Sequence, residues 1–241
     1  MKLLVVNPNT TASMTHKIGL AAQRCASPGT EVLATNPSQG PVSIEGYFDE
    51  ALCLPGLLQE MARHPDADAT VIACFDDTGL DAARCLSPRP VIGIGEAAYK
   101  MAAMVSNKFS VVTTLSRSVP ALEHNLARYG LSHMCVKVRA SDVPVLELES
   151  PHSCARDLIR AEIAAAISQD KAEAIVLGCA GMADLAQSLS EEFGVPVLDG
   201  VACAVALAEA MVRVGVKTSK VGGYAPPPPV KMPAAWGIQP T

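Results

Sequence analysis

Two cysteines stand in matching surroundings. Asp66-Ala-Asp-Ala-Thr-Val-Ile-Ala-Cys74 aligns without a gap on Lys171-Ala-Glu-Ala-Ile-Val-Leu-Gly-Cys179, an offset of 105 residues. Each closes an apolar, β-branched run, and each is followed by turn-forming residues, Phe75-Asp-Asp-Thr-Gly79 in one case and Ala180-Gly181 in the other. A lone cysteine ending a buried strand is ordinarily a packing residue. A pair placed symmetrically in a repeated chain points instead to chemistry done twice, from two sides. One thiolate removes a proton from carbon, a planar enolate-like intermediate forms, and the opposite thiol returns a proton to the other face.

The residues around the pair are expected to serve that reaction. A thiol at a helix N-terminus meets the positive end of the helix dipole and free backbone amides, which predicts a pKa lowered from about 8.5 toward neutrality. The turn amides around Phe75, Asp76, Ala180 and Gly181 are candidate donors to the oxygen of the intermediate. Gly178, just before the second cysteine, and the small residues after it would let backbone approach a ligand closely. Thr78, with Asp81 three residues on, has the spacing of a capping box.

The other six cysteines (25, 53, 85, 135, 154 and 203) have irregular spacing and no symmetric counterparts, so they are expected to be reduced core or surface thiols. There is no CxxC pair, and the five histidines fall at no metal-ligand spacing. Neither a metal nor an organic cofactor is expected.

The elements that must hold the two cysteines can be read from the same repeat. Pro90-Val-Ile and Pro196-Val-Leu follow the two cysteines at nearly the same distance, and Leu4-Val-Val answers Ser110-Val-Val upstream. Short Val/Ile-rich runs at 2–6, 31–35, 70–74, 91–94, 109–113, 135–139, 174–178 and 196–198 predict strands. Helical periods fall at 11–25, 50–63, 79–86, 95–105, 119–129, 154–168, 182–193 and 201–215. That alternation is the signature of βαβ units with mostly parallel sheets. The fold class expected is α/β: two lobes related by a pseudo-two-fold axis, each a mostly parallel sheet flanked by helices, with the active site in the cleft between them. Residues 1–102 with 203–241 are assigned to the first lobe and 103–202 to the second, the last helix crossing back onto the first. The polyproline run 226–229 is read as an ordered wrap or a tail without chemistry.

Composition narrows the function. The chain has 241 residues, 49% of them hydrophobic and only 4% aromatic, which suits close helix-on-sheet layers. A net charge of -5, with no Lys/Arg cluster, offers no field for nucleic acid. The apolar run at the N-terminus is short for a signal peptide, and no stretch reaches the ~20 residues of a membrane helix. A cytoplasmic protein acting on a small molecule is the expectation.

These residues resemble the hydantoin and allantoin racemases of the aspartate/glutamate racemase superfamily. The marks are Val6-Asn-Pro-Asn-Thr10, Pro41-Val-Ser-Ile-Glu-Gly46, Ala73-Cys-Phe-Asp-Asp-Thr-Gly-Leu-Asp-Ala-Ala83, Gly93-Ile-Gly-Glu-Ala-Ala98, Phe109-Ser-Val-Val-Thr-Thr-Leu115 and Val176-Leu-Gly-Cys-Ala-Gly-Met182, spread nearly end to end. The resemblance implies two α/β lobes, catalysis by a cysteine pair and a homo-oligomer. It implies Asn9, Ser43 and Ile44 as pocket residues of the first lobe, with Thr113 and Thr114 at the equivalent place in the second. Turn and helix-capping roles are the competing explanation for these five.

Amino-acid racemases of the superfamily carry Thr-His after the second cysteine, where this chain has Ala180-Gly181, and that departure argues against a free amino acid. A hydantoin activates its own C5 proton through the adjacent carbonyl, and so needs less help. The superfamily's decarboxylases and maleate isomerases pair the second-half cysteine with other first-half residues or use one thiol as a nucleophile. Retention of both cysteines favours racemisation. The expected substrate is a 5-monosubstituted hydantoin, with Phe75, Ile44 and Tyr47 as an apolar wall for the substituent. Allantoin is the alternative, and a non-catalytic binder that kept the cleft a more remote one.

Overall fold

In the computed structural model, residues 1–150 and 153–227 are described; part of the polyproline run, Pro228 and Pro229, lies outside them. The first sheet holds β1 (Lys2–Val6), β2 (Glu31–Thr35), β3 (Ala69–Ile72) and β4 (Val91–Gly93), and the second holds β5 (Phe109–Thr113), β6 (Cys135–Ala140), β7 (Ala174–Gly178) and β8 (Val197–Asp199). Their orders, β2-β1-β3-β4 and β6-β5-β7-β8, are the same, and every pairing is parallel. Parallel strands covered on both faces require near-continuous apolar runs. That is why Leu3 to Val6 are fully buried, as are β5 and β7, whereas the edge strand β2 is half-buried.

Helices α1 (Ala12–Cys25), α2 (Tyr47–Arg63), α3 (Leu80–Leu86) and α4 (Ile94–Val105) follow the strands of the first half, and α5 (Val119–Arg128), α6 (Ala155–Ser168), α7 (Ala186–Phe193) and α8 (Gly200–Arg213) those of the second. The two last helices of the halves cross over. α4 lies against β7 and β8, and α8 lies against α1, β3 and β4. They touch where they begin: a Cβ on Gly200 would sit 2.6 Å from the Ile94 carbonyl oxygen, so only glycine admits this approach. The exchange joins both halves in one continuous core that includes Leu3, Tyr99, Phe109 and Val205.

Three local expectations change. β3 ends at Ile72, so Cys74 lies in the turn beyond the strand rather than on it. α7 starts at Ala186 rather than at 182, because Ala180–Met182 close a separate 3-10 turn. The capping box does not form: the residue before α3 is Gly79 in the left-handed conformation (φ 73°), with no side chain capping the helix. Thr78 instead places its hydroxyl 3.6 Å from the Cys74 sulfur.

Candidate active site

The loops after β1, β3, β5 and β7 all leave the carboxyl ends of their strands, where open parallel sheets bind ligands, and together they line one cleft that opens to solvent. Cys74 and Cys179 line it together, one from each half. Of the other residues singled out from the sequence, Asn9, Ile44, Phe75, Asp76, Thr113, Thr114, Gly178 and Ala180 line it too. Ser43 and Gly181 do not, although Gly181 packs beside the Cys179 sulfur. Tyr47 is exposed outside the cleft, 3.2 Å from the His124 ring nitrogen, and so forms no part of an apolar wall.

Asn7, Met14, Ser118 and Val145 are lining residues that the sequence reading missed. Asn7 was within view: it opens the same Asn-Pro-Asn turn as Asn9. Its amide donates to the Asn9 side-chain oxygen at 2.8 Å and to the Thr15 hydroxyl at 3.0 Å. Asn9 in turn accepts from the Thr11 amide at 2.9 Å and directs its own amide at the Met14 sulfur, 3.3 Å away. The turn is thus held rigid by its own side chains. In the second half, Thr113 donates to the Gly178 carbonyl at 2.9 Å, tying β5 to β7 directly before Cys179. A Cβ on Gly178 would lie 2.8 Å from the Thr113 Cβ, so glycine is what lets these strand ends close up.

The halves meet around the cleft through polar contacts as well as through the core. Glu45 accepts from the Val145 amide at 3.0 Å, and Lys17 pairs with Asp184 at 3.1 Å. Asn125 on α5 donates to the Asp76 carbonyl at 2.7 Å, and Tyr129 donates to the Asp77 carboxylate at the same distance. The turn that carries Cys74 is therefore clamped by the other half.

Asp77 also breaks the symmetry between the halves. In the second half, Asp199 at the end of β8 caps α8, accepting from the Val201 and Ala202 amides, both at 2.9 Å. The equivalent position before α4 is Gly93, and the Asp77 carboxylate fills the space its missing side chain leaves. It accepts from the Gly95 amide at 2.9 Å and from the Glu96 amide at 2.7 Å. One capping role is thus supplied locally in one half and from the Cys74 turn in the other, at the cost of a positive φ (51°) at Asp77.

The expectation of low thiol pKa values is overturned. Burial, and then the Asp76 carboxyl and the Cys53 thiol, push Cys74 well above the ordinary range. Burial pushes Cys179 up to about 11. No long helix starts next to either sulfur: α3 begins at Leu80, and a 3-10 turn separates Cys179 from α7. The Thr78 hydroxyl and then the Asp76 amide beside Cys74, and the Gly181 amide beside Cys179, lower the two thiols' pKa values, but desolvation outweighs them. Among the described residues, no group of three or more His, Cys, Asp or Glu could hold a metal ion, and no helix is long and apolar enough to cross a membrane.

Comparison with known proteins agrees with this geometry. The family model described as Asp/Glu/Hydantoin racemase matches residues 3–208. A hydantoin racemase of Rhizobium meliloti is 50% identical over 94% of this chain and 95% of its own length. The solved structure of an allantoin racemase from Klebsiella pneumoniae superposes with a TM-score of 0.95 at 46% identity, covering 97% of this chain and 96% of that one. A glutamate racemase from Francisella tularensis, 12% identical with a TM-score of 0.65 over 93% of this chain and 85% of its own, shares the fold alone. With two matching parallel sheets, a paired-thiol cleft between them and these full-length similarities, the chain belongs to the Asp/Glu/Hydantoin racemase family and is an isomerase of the racemase type.

Proposed function

We propose that the protein racemises 5-monosubstituted hydantoins by proton transfer at C5 between Cys74 and Cys179, without a cofactor. The observation that carries this reading is the placement of both thiols on one cleft, each beyond the corresponding strand of its own half. One thiolate takes the C5 proton, and the electron pair of the broken C–H bond moves onto the C4 oxygen. The opposite thiol then delivers its proton to the other face of C5, leaving the charge on that sulfur. The ring acidifies C5 through the adjacent carbonyl, so the reaction needs a positioned base more than a strong one. The Asp76 and Gly181 amides favour whichever sulfur is ionised.

Allantoin, a hydantoin with a ureido group at C5, is the second reading, supported by the Klebsiella relative's name and by Asn7, Asn9, Thr114 and Ser118 in the lining. We place hydantoins first because the curated relatives named hydantoin racemase are 40% to 50% identical and because Ile44, Phe75 and Val145 offer apolar contacts to a substituent. We further propose a homo-oligomer working in the cytoplasm, to be checked by light scattering and fractionation, and keep the lobe division of residues 1–102 with 203–241 against 103–202.

The test is to incubate single enantiomers of 5-benzylhydantoin and of allantoin with the protein in heavy water, following optical rotation and deuterium at C5. Loss of rotation with deuterium uptake by 5-benzylhydantoin is the expected result. Loss with allantoin alone would overturn the substrate assignment, and binding of either without exchange would make the protein a binder rather than a racemase.

A further inference from the structure

Among the described residues, the cleft is lined by no Lys, Arg or His, and the one carboxyl group in the lining belongs to Asp76. The main chain of that residue is fixed by Asn125, yet its side-chain oxygens receive no hydrogen bond from any described residue. Its carboxyl feels Glu50 on α2, one of whose oxygens is buried with no hydrogen-bond partner among the described residues, next to Asp49 in sequence. The groups that interact electrostatically with Asp76 include Glu50 and Cys53 from α2, Asp77 and Cys74 from its own turn, Tyr99 from α4 and Cys179 from the other half, and none of these is a cation. Lys17, whose charge reaches Cys179, is engaged by Asp184.

We propose that Asp76 acts as an uncharged carboxylic acid that reads a lactam edge of the substrate ring, and that it thereby selects neutral cyclic ureides over carboxylate-bearing molecules. The inference rests on the racemase reading above and assigns the substrate contact within it. A carboxylic acid offers an O–H donor and a C=O acceptor side by side. A hydantoin offers an N–H and a C=O on adjacent ring atoms with both groups on one side, so the two fragments close a ring of two hydrogen bonds. A substrate carboxylate would meet no counter-ion here and would face Asp76 and Glu50 instead. Burial, then Glu50 and Asp77, push the Asp76 carboxyl up to about 8, which keeps its proton in place at neutral pH.

The test is calorimetric titration of wild-type protein and variants with unsubstituted hydantoin and with N-carbamoylglycine, the ring-opened acid. Wild type should bind hydantoin and not N-carbamoylglycine. Asp76→Ala should weaken hydantoin binding by about tenfold or more, while Asp76→Asn, whose amide presents the same donor and acceptor, should stay within about threefold. Raising the pH from about 6.5 to about 8.5 should weaken binding to wild type but not to Asp76→Asn, since only the acid loses its donor. Thermal melts of each variant show that it is folded. Hydantoin binding to Asp76→Ala as tight as to wild type, equal losses in Asp76→Asn and Asp76→Ala, or binding of N-carbamoylglycine by wild type would each overturn the inference. Proton NMR of the same samples in heavy water separates the two readings. Wild type that binds hydantoin without C5 exchange ends the racemase reading and leaves edge recognition standing; exchange with unchanged binding in Asp76→Ala does the reverse.

Discussion

Moving the α4 cap from Asp77 to Gly93 would separate what the Cys74 turn contributes to stability from what it contributes to turnover. Gly93 has φ -86° and ψ 142°, close to the -94° and 130° of Asp199, so an aspartate there is already in capping geometry. Asp77→Gly alone removes the acceptor for two helix amides, about 1 kcal/mol as an N-cap, and leaves the half-buried Tyr129 hydroxyl without this acceptor, about 1–3 kcal/mol. Relief of the positive φ returns about 1 kcal/mol, for a net loss of about 2 kcal/mol. Gly93→Asp alone drives a Cβ into the Asp77 carboxylate and should cost about 3 kcal/mol or more. In the double variant the overlap is gone and the cap is restored locally, which leaves the Tyr129 penalty less the relieved φ strain, about 1 kcal/mol. The two changes should therefore be coupled by about 4 kcal/mol in the favourable direction. Urea unfolding of the four proteins, with unchanged slopes, measures it. Turnover should not recover with stability, because the Cys74 turn has lost its tether to α4 and its bond from Tyr129, and is held from the other half by the Asn125 bond to the Asp76 carbonyl; kcat of the double variant should stay about tenfold or more below wild type. A double variant no more stable than the sum of its singles would refute the reasoning.

Other expectations follow from the same geometry. Cys74→Ser and Cys179→Ser should each abolish racemisation and allow at most one-sided deuterium exchange with a single enantiomer, as NMR in heavy water would show; full turnover in both would remove the paired-thiol mechanism. Because burial raises both thiols, kcat at saturating substrate should climb from neutral pH toward about 11, the value for Cys179, instead of levelling near neutrality. For the same reason the native state retains protons that unfolded thiols release, so stability should fall as pH rises from about 9 toward about 11, as thermal melts across that window would record. Gly178→Ala should cost about 1–3 kcal/mol and lower kcat, since its Cβ would meet Thr113 on the neighbouring strand rather than a flexible side-chain end.

What could be read from the chain alone was whatever repeats along it. Apolar runs of strand length, the helical spacings between them and the duplicated segment ending in Cys74 and Cys179 carry the α/β class, the two matching sheets and the identity of the paired residues, because each is a local pattern imposed by burial. Tertiary structure decided whatever depends on neighbours remote in sequence. The thiols' ionisation follows from desolvation in a cleft built by both halves, and not from the turns that follow them. Asp77, which looked like one more turn residue, caps a helix that begins 17 residues later. Met14, Ser118 and Val145 reach the cleft only because helix and loop geometry turns them there. Hydrophobic period is written residue by residue, whereas dielectric surroundings and hydrogen-bond partners exist only once the two halves have closed on each other.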